Sequence, residues 1–424
     1  MARRKVSCSR TLDADARTVW ASVRDFCRPW HPLVTIMRAE DSGRVRAFQV
    51  RGEDTVYREQ LIWFSDTEMS MRYVHLEGIA GVDRYEGRLQ IVPDKAGCET
   101  TMSAIIDAPA ERANEVAEGT AAIFEIGLEA LARNVPKAAS EELDASPTSP
   151  FEPFKLKTDP PLTLDKTPSG DGPLCLFLHG IGGQRSNWAA QLAAAGAITP
   201  SAALDLRGYG DSALGGEQTS LQDHCDDILK VADALKADRL ILCGLSYGAW
   251  IATAFAEKYP DRMAGLILSG GCTGMSEADA KERNAFRTSR EVPLDAGQTP
   301  ADFAPAVMDV ICGPNATAKV RAELQASMAA IPVETYRDAL HCFTNPPGRF
   351  DFSRLTIPVL MMTGEHDVLA PPSEIRSVAE RILQASPTPD VRFEVIAGAG
   401  HVCNVEDPDA YNAPMLEFLR RVAR

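Results

Sequence analysis

The sequence holds no run of about 18 uninterrupted apolar residues, and its opening MARRKVSCSR leads into polar sequence without an apolar signal core. Neither a membrane-spanning helix nor a secretory leader is expected, and the reading is of a cytoplasmic chain with no membrane partner. The ten cysteines include no CxxC pair and are scattered through strand-like and helix-like segments. Such spacing predicts reduced core thiols and not disulfides or a structural metal. No internal repeat is visible, which sets aside solenoids and propellers. Basic residues are in deficit, 44 Lys and Arg against 59 Asp and Glu, for a formal net charge of -15. Phosphate binding needs a basic face, so a nucleic-acid partner is excluded. Residues 1–135 are roughly neutral, at about -3, so most of the acidity lies further on. The short run Arg3, Arg4, Lys5 reads as a solvated tail.

What is present is the composition of a globular protein, with 45% hydrophobic and 24% charged residues over 424 positions. That length exceeds one ordinary core and predicts two domains. After a helical stretch from about Arg112 to Arg133 the sequence turns rich in Pro, Ser, Asp and Thr, as in SEELDASPTSPFEP. The boundaries read as a first domain over 1–135, a linker over 136–154 and a second domain over 155–424. LTLDKT can already be an edge strand of the second.

Beyond Pro173, LCLFLHG, RLILCGLS, GLILSG and PVLMMTG are short apolar runs separated by amphipathic helical patterns. Strands buried on both faces of a mainly parallel sheet are continuously apolar in this way, and chemistry then gathers on loops at their carboxyl ends. RLILC ends in Gly244-Leu245-Ser246-Tyr247-Gly248, a GxSxG turn between a strand and the helix AWIATAFAEKY. GxSxG alone arises by chance. With a strand before it and a helix after it, Ser246 becomes the candidate nucleophile, and the helix amino terminus favours negative charge there. Asp367, on the loop after PVLMMTGEHD, is the candidate carboxylate; Glu365 and His366 share that loop and are read as packing and solvent contacts. His401, in Gly398-Ala399-Gly400-His401 ahead of a final helix near Asp407, is the candidate base and completes the order Ser, Asp, His. His179 is read as fixing its own loop, and Asp205–Ser212 as a structural turn.

FLHGIGG, DLRGYGDS, GLSYGAW, YPDRMAGLILSG, GEHD and GAGH resemble the motifs of the alpha/beta-hydrolase superfamily, over about residues 155–424. The nearest look is to 3-oxoadipate enol-lactonase-like hydrolases and related esterases, cofactor-free haloperoxidases and carbon-carbon bond hydrolases. The resemblance implies an α/β hydrolase fold with a mainly parallel sheet, and an oxyanion hole built from the backbone N–H groups of Tyr247 and Ile181. It also implies a helical cap over about 272–352, an insertion carrying the helical patterns EADAKERNAFRTS, APAVMDVIC and TAKVRAELQASMAA. Trp188, Met308, His341 and Phe343 are candidate pocket residues, though each is more often ordinary packing. Tyr247-Gly248-Ala249-Trp250 departs from the methionine and paired glycines usual in the lactonases, implying a differently shaped pocket. A serine at the nucleophile position excludes haloalkane dehalogenase and epoxide hydrolase chemistry, which needs a carboxylate.

In the first 135 residues, DARTVWASVRDF reads as a helix, and FQVRG, YREQLIWFS, MSMRYVHLE, YEGRLQIVP and CETTMSAIID as successive antiparallel strands. ERANEVAEGTAAIFEIGLEALARN closes the segment as a long helix. With Val19-Trp20, Asp25-Phe26, Trp30-His31-Pro32 and Arg58-Glu59-Gln60-Leu61, this resembles the START-related polyketide cyclase and lipid-transport superfamily (SRPBCC). The resemblance implies an α+β helix-grip domain with an apolar cavity; ligand binding, scaffolding or dimerising, and independent cyclase chemistry all stay open.

The expected activity is that of a serine hydrolase cleaving an ester or lactone of a hydrophobic small molecule, aromatic-derived ones included, through an acyl-enzyme on Ser246, without cofactor or metal. The alternatives are a carbon-carbon bond hydrolase or acyltransferase using the same triad, or a ligand-binding protein with a vestigial hydrolase. A homodimer is compatible with each.

Overall fold

The computed structural model describes residues 2–94, 97–134, 151 and 153–424. It divides into two compact units, Met1–Ala145 with Asp390–Glu394, and Ser146–Pro389 with Val395–Arg424. Most of the segment read as a linker, 136–154, lies outside the described residues.

The first unit begins with strand β1 (Ala2–Leu12) and helix α1 (Ala16–Val23). Strands β2 (Val34–Glu40), β3 (Val45–Val50), β4 (Val56–Ser65), β5 (Ser70–Glu77), β6 (Arg84–Asp94) and β7 (Gly97–Ala108) follow, then helix α2 (Ala110–Asn134). Their order is β1-β7-β6-β5-β4-β3-β2, antiparallel throughout. β7 alternates buried and less buried positions along almost its whole length, the period of a sheet with one face on a core. That core joins Trp20, Phe64, Met71, Leu89 and Ile106 to Phe124 and Leu128 of α2.

Arg3, Arg4 and Lys5 are not a solvated tail. They belong to β1, which pairs with β7 from Ala2↔Ala108 to Leu12↔Cys98, and Arg3 Nε donates to Asp107 Oδ1 at 2.8 Å. Arg3 and Lys5 stand on the wet face, while Arg4 shares the face of Val6, Cys8 and Leu12 and donates to Asn114 Oδ1 on α2 at 2.6 Å, so the charges obscured a strand whose backbone the sheet requires. Around Trp30-His31-Pro32, His31 Nε2 meets the carbonyl of Ile123 on α2 at 2.9 Å.

The second unit contains β8 (Phe154–Leu156), β9 (Leu162–Lys166), β10 (Leu174–Leu178), helix α3 (Ala189–Ala195), β11 (Ser201–Asp205), α4 (Leu221–Ala234) and β12 (Leu240–Leu245). Then come α5 (Tyr247–Lys258), β13 (Met263–Ser269), α6 (Ala280–Asp295), α7 (Pro300–Ile311), α8 (Ala318–Ala329), α9 (Val333–Thr344) and β14 (Val359–Gly364). The chain ends with α10 (Pro372–Ala385), β15 (Val391–Ile396), of which the residues up to Glu394 count with the first unit, α11 (Cys403–Glu406) and α12 (Pro408–Val422). The sheet runs β8-β9-β11-β10-β12-β13-β14. It is parallel from β11 to β14, with β8 and β9 antiparallel at one side. Every residue of β10, β11, β12, β13 and β14 is buried, which is why these strands read as unbroken apolar runs. β9 is not the edge: β8 lies outside it. Four helices, α6 to α9, fill the insertion between β13 and β14; the first three carry the patterns seen in the sequence, and α9 is additional.

Candidate active site

Ser246 stands between the last residue of β12 and the first of α5, with φ 54° and ψ -112°. A non-glycine residue in that region is strained, and it persists only where its surroundings hold it. Here its N–H donates to the carbonyl of Ser269 at the end of β13 at 2.8 Å, and its own carbonyl accepts from Trp250 N at 3.0 Å. The flanking glycines are dictated by backbone proximity. A Cβ on Gly244 would lie 2.3 Å from the Gly248 carbonyl oxygen, and one on Gly248 would lie 2.1 Å from the Leu178 carbonyl oxygen. The turn is therefore locked against both its own helix and β10.

Asp367 follows β14 with its side chain fully buried. Oδ2 accepts from His401 Nδ1 at 2.8 Å and from Thr363 Oγ1 at 3.3 Å, while Oδ1 accepts the N–H groups of Leu369 and Ala370, each at 2.9 Å. Four donors hold one carboxylate in a single orientation, and a hydrogen bond to Nδ1 leaves Nε2 of His401 as the free ring nitrogen. His401 N donates to Ile311 O at the end of α7 at 2.7 Å, and a Cβ on Gly400 would lie 2.3 Å from that same oxygen. The small residues before His401 thus let the histidine loop pass against the cap backbone. Glu365 and His366 are about half exposed, and Glu365 accepts from Gly398 N at 2.9 Å.

The loop after β10 passes beside the serine, since a Cβ on Gly180 would stand 3.5 Å from the Ser246 Cβ. His179 fixes that loop: Nδ1 meets Gly180 O at 2.8 Å and Nε2 meets Leu206 N at 3.1 Å. The carbonyl partner sets the proton on Nδ1, and burial holds the ring below its ordinary pKa, hence neutral. Asp205–Ser212 forms a bonded turn, in which Asp205 accepts from Asp211 N at 3.0 Å and pairs with Arg185.

Ser246, Tyr247, Ile181 and His401 all line one cavity of ≈ 560 Å³, and Asp367 lies behind His401. Of the pocket candidates, Trp188, Met308 and Phe343 also line it. His341 does not; its Nε2 pairs with Glu291 Oε1 at 2.9 Å. The reason is periodicity: His341 and Phe343 are two apart on α9, so they project from different faces of that helix. Tyr247 and Trp250 are stacked at 5.7 Å, and Phe343 meets both edge-on. Tyr247 and Phe343 form part of the cavity wall, and Trp250 packs against both without lining the cavity itself. Tyr247 is anchored by His224, whose Nε2 lies 2.8 Å from its hydroxyl. Burial and the nearby Arg207 push the His224 pKa down to about 3. Ser327 of α8 bonds Gln184 at 3.4 Å and Asn187 at 3.0 Å, which ties the cap to the loop following Ile181. Every cavity-lining residue belongs to the second unit. Among the described residues no group of three or more His, Cys, Asp and Glu side chains could hold a metal ion, and no helix is long and apolar enough to cross a membrane.

The family model described as Alpha/beta hydrolase family matches residues 175–413, more than half of the chain. The chain belongs to the alpha/beta hydrolase family. It is a hydrolase enzyme, and residues 3–136 of this alpha/beta hydrolase match a second model, Polyketide cyclase / dehydrase and lipid transport, so the two domains are fused. It is similar to a protein provisionally named carbamate hydrolase RutD from Caulobacter segnis, 30% identical over 256 residues, covering 58% of this chain and 90% of that one. A 3-oxoadipate enol-lactonase 2 from Acinetobacter baylyi is 23% identical over 253 residues, covering 59% of this chain and 90% of its own. Among solved structures, a thermophilic esterase from Thermogutta terrifontis superposes with a TM-score of 0.56 at 26% identity, covering 64% of this chain and all of that one.

Proposed function

We propose that this alpha/beta hydrolase is a serine hydrolase of carboxylic esters or lactones of hydrophobic small molecules, acting through an acyl-enzyme on Ser246. The observation that carries the reading is the strained Ser246 on the wall of the same apolar cavity as His401, whose Nδ1 is bonded to the buried Asp367. Esterase and lactonase relatives support the substrate class.

In this reading Nε2 of His401 takes the proton of Ser246 as the oxygen attacks the carbonyl carbon, and Asp367 keeps the imidazole in the required tautomer and stabilises the imidazolium. The oxygen of the tetrahedral intermediate is received by the N–H groups of Tyr247, first residue of α5, and Ile181 on the adjacent loop. The intermediate collapses, the alcohol leaves with the proton from His401, and a water activated by the same ring releases the acid. A cavity of this size suits an apolar small molecule, and the cap excludes bulk water from it. Ten free cysteines, eight of them buried, support a cytoplasmic setting.

The test is a pH-stat screen of lactones, aryl esters and vinylogous diketones on the intact chain and on Ser246→Ala in parallel. Acid release from an ester or lactone that vanishes in the variant supports the reading. Turnover of the diketones alone, or turnover that survives the substitution, overturns it.

A further inference from the structure

The cap contributes one strong cation to the cavity. Arg290, two-thirds of the way along α6, lines it together with Phe286, Phe303 and Tyr336. Its guanidinium lies 3.5 Å from the centroid of the Phe286 ring, and Nη1 donates to the Phe286 carbonyl at 3.0 Å and to Ser289 Oγ at 3.2 Å. No carboxylate pairs with it among the described residues. The neighbouring acid, Glu291, is already engaged by His341 Nε2 at 2.9 Å and by Arg287 Nε at 3.8 Å. Burial holds the Arg290 pKa below its ordinary value although the Tyr336 hydroxyl interacts with it, as for a cation desolvated without a carboxylate to offset it. The one carboxylate among the cavity-lining residues is Glu374. Burial and the nearby Asp367 and Glu277 raise its pKa, so it belongs to the Asp367 side of the cavity and does not neutralise Arg290.

Between the elbow and this cation runs an apolar track. The Tyr247 ring meets Phe343 at 5.7 Å, Phe343 meets Phe286 at 5.7 Å, and Phe286 carries the guanidinium. A substrate lying along these rings would present its carbonyl to Ser246 and its far end to Arg290. A planar guanidinium with unused N–H groups in a water-poor pocket matches a carboxylate better than any neutral group.

We propose that Arg290 is a specificity-determining residue that binds a carboxylate on the substrate, separated from the scissile carbonyl by an apolar spacer. The chemical class is therefore a half-ester, or a lactone with a free acid. This assignment rests on the ester-hydrolase reading for its chemistry and on the cavity alone for its binding.

The probes are 4-nitrophenyl hydrogen suberate and 4-nitrophenyl octanoate, equal in chain length and different in the terminal carboxylate. They are compared on the intact chain, Arg290→Gln and Arg290→Lys. The ratio of kcat/KM, suberate over octanoate, should fall about 10- to 100-fold in Arg290→Gln, as for loss of a charged hydrogen bond, and recover in part in Arg290→Lys. An unchanged ratio overturns the proposal. Binding of the suberate dianion by calorimetry reads the same site without chemistry. Affinity at least tenfold stronger for the intact chain than for Arg290→Gln supports the proposal, and equal or absent binding overturns it. If neither ester is turned over, or Ser246→Ala turns them over equally, the hydrolase reading fails while the calorimetry still decides the carboxylate site.

Discussion

Replacing Asp367 with Asn changes one atom and no volume, and the structure says what that atom does. Oδ1 accepts two backbone N–H groups, from Leu369 and Ala370, so the amide oxygen of Asn must take that position. The amide NH₂ is then forced into the place of Oδ2, facing Nδ1 of His401 and the Thr363 hydroxyl. An NH₂ group donates to Nδ1 only if that nitrogen carries no proton, which moves the ring proton to Nε2 and removes the base that Ser246 needs. A tautomer reversal of this kind lowers kcat about 10⁴-fold in a Ser-His-Asp enzyme. Stability should change little, by about 1–2 kcal/mol, as charged hydrogen bonds become neutral ones. The assay is the initial rate on 4-nitrophenyl octanoate, with thermal melting as the control for folding. A folded Asp367→Asn protein retaining a tenth or more of the intact rate would refute the reasoning.

Three further outcomes follow from the geometry. Gly248→Ala pushes a methyl to 2.1 Å from the Leu178 backbone oxygen, so it should lose about 3 kcal/mol or more, read as a urea midpoint; an unaltered midpoint would contradict the packing at the elbow. His224, with a folded pKa of about 3 against about 6.5 unfolded, leaves the unfolded chain binding the extra proton below pH 6.5. Its stability contribution is therefore whole above that pH and is lost as pH falls toward 3. Between pH 7 and pH 5 the intact chain should lose about 2 kcal/mol more than His224→Gln, and parallel acid losses would count against it. Thiol titration of the native chain should reach at most the half-buried Cys27 and Cys312, with all ten reacting in denaturant. Cys27 should be slow, because burial and Asp25 push its thiol up to about 11.

The parts of this molecule that were legible in its sequence share a cause: their one-dimensional pattern is a direct image of their surroundings. Strands buried on both faces are apolar throughout, so the central strands β10, β12, β13 and β14 stood out, and with them the loops bearing Ser246, Asp367 and His401. β1 was hidden because one of its faces is wet and carries Arg3 and Lys5. α9 was hidden because its buried face is broken by the polar residues Thr335 and Thr344. Long-range partnerships left no local trace. Nothing in EADAKERNAFRTSREV marks Arg290, one of four basic residues on the same helix, as the one facing the cavity. The pairing of His224 with Tyr247 likewise depends on two helices meeting in space, and the different fates of His341 and Phe343 depend on which face of α9 the cap turns inward.

The central claim is that Ser246 becomes acylated while His401 and Asp367 drive the proton transfer. It is tested most directly by intact-protein mass spectrometry and peptide mapping after treatment with a fluorophosphonate, which traps an activated serine covalently. The account predicts one adduct per chain, on Ser246, absent in Ser246→Ala and strongly slowed in His401→Ala. An unlabelled intact chain, or an adduct on another residue, would contradict it.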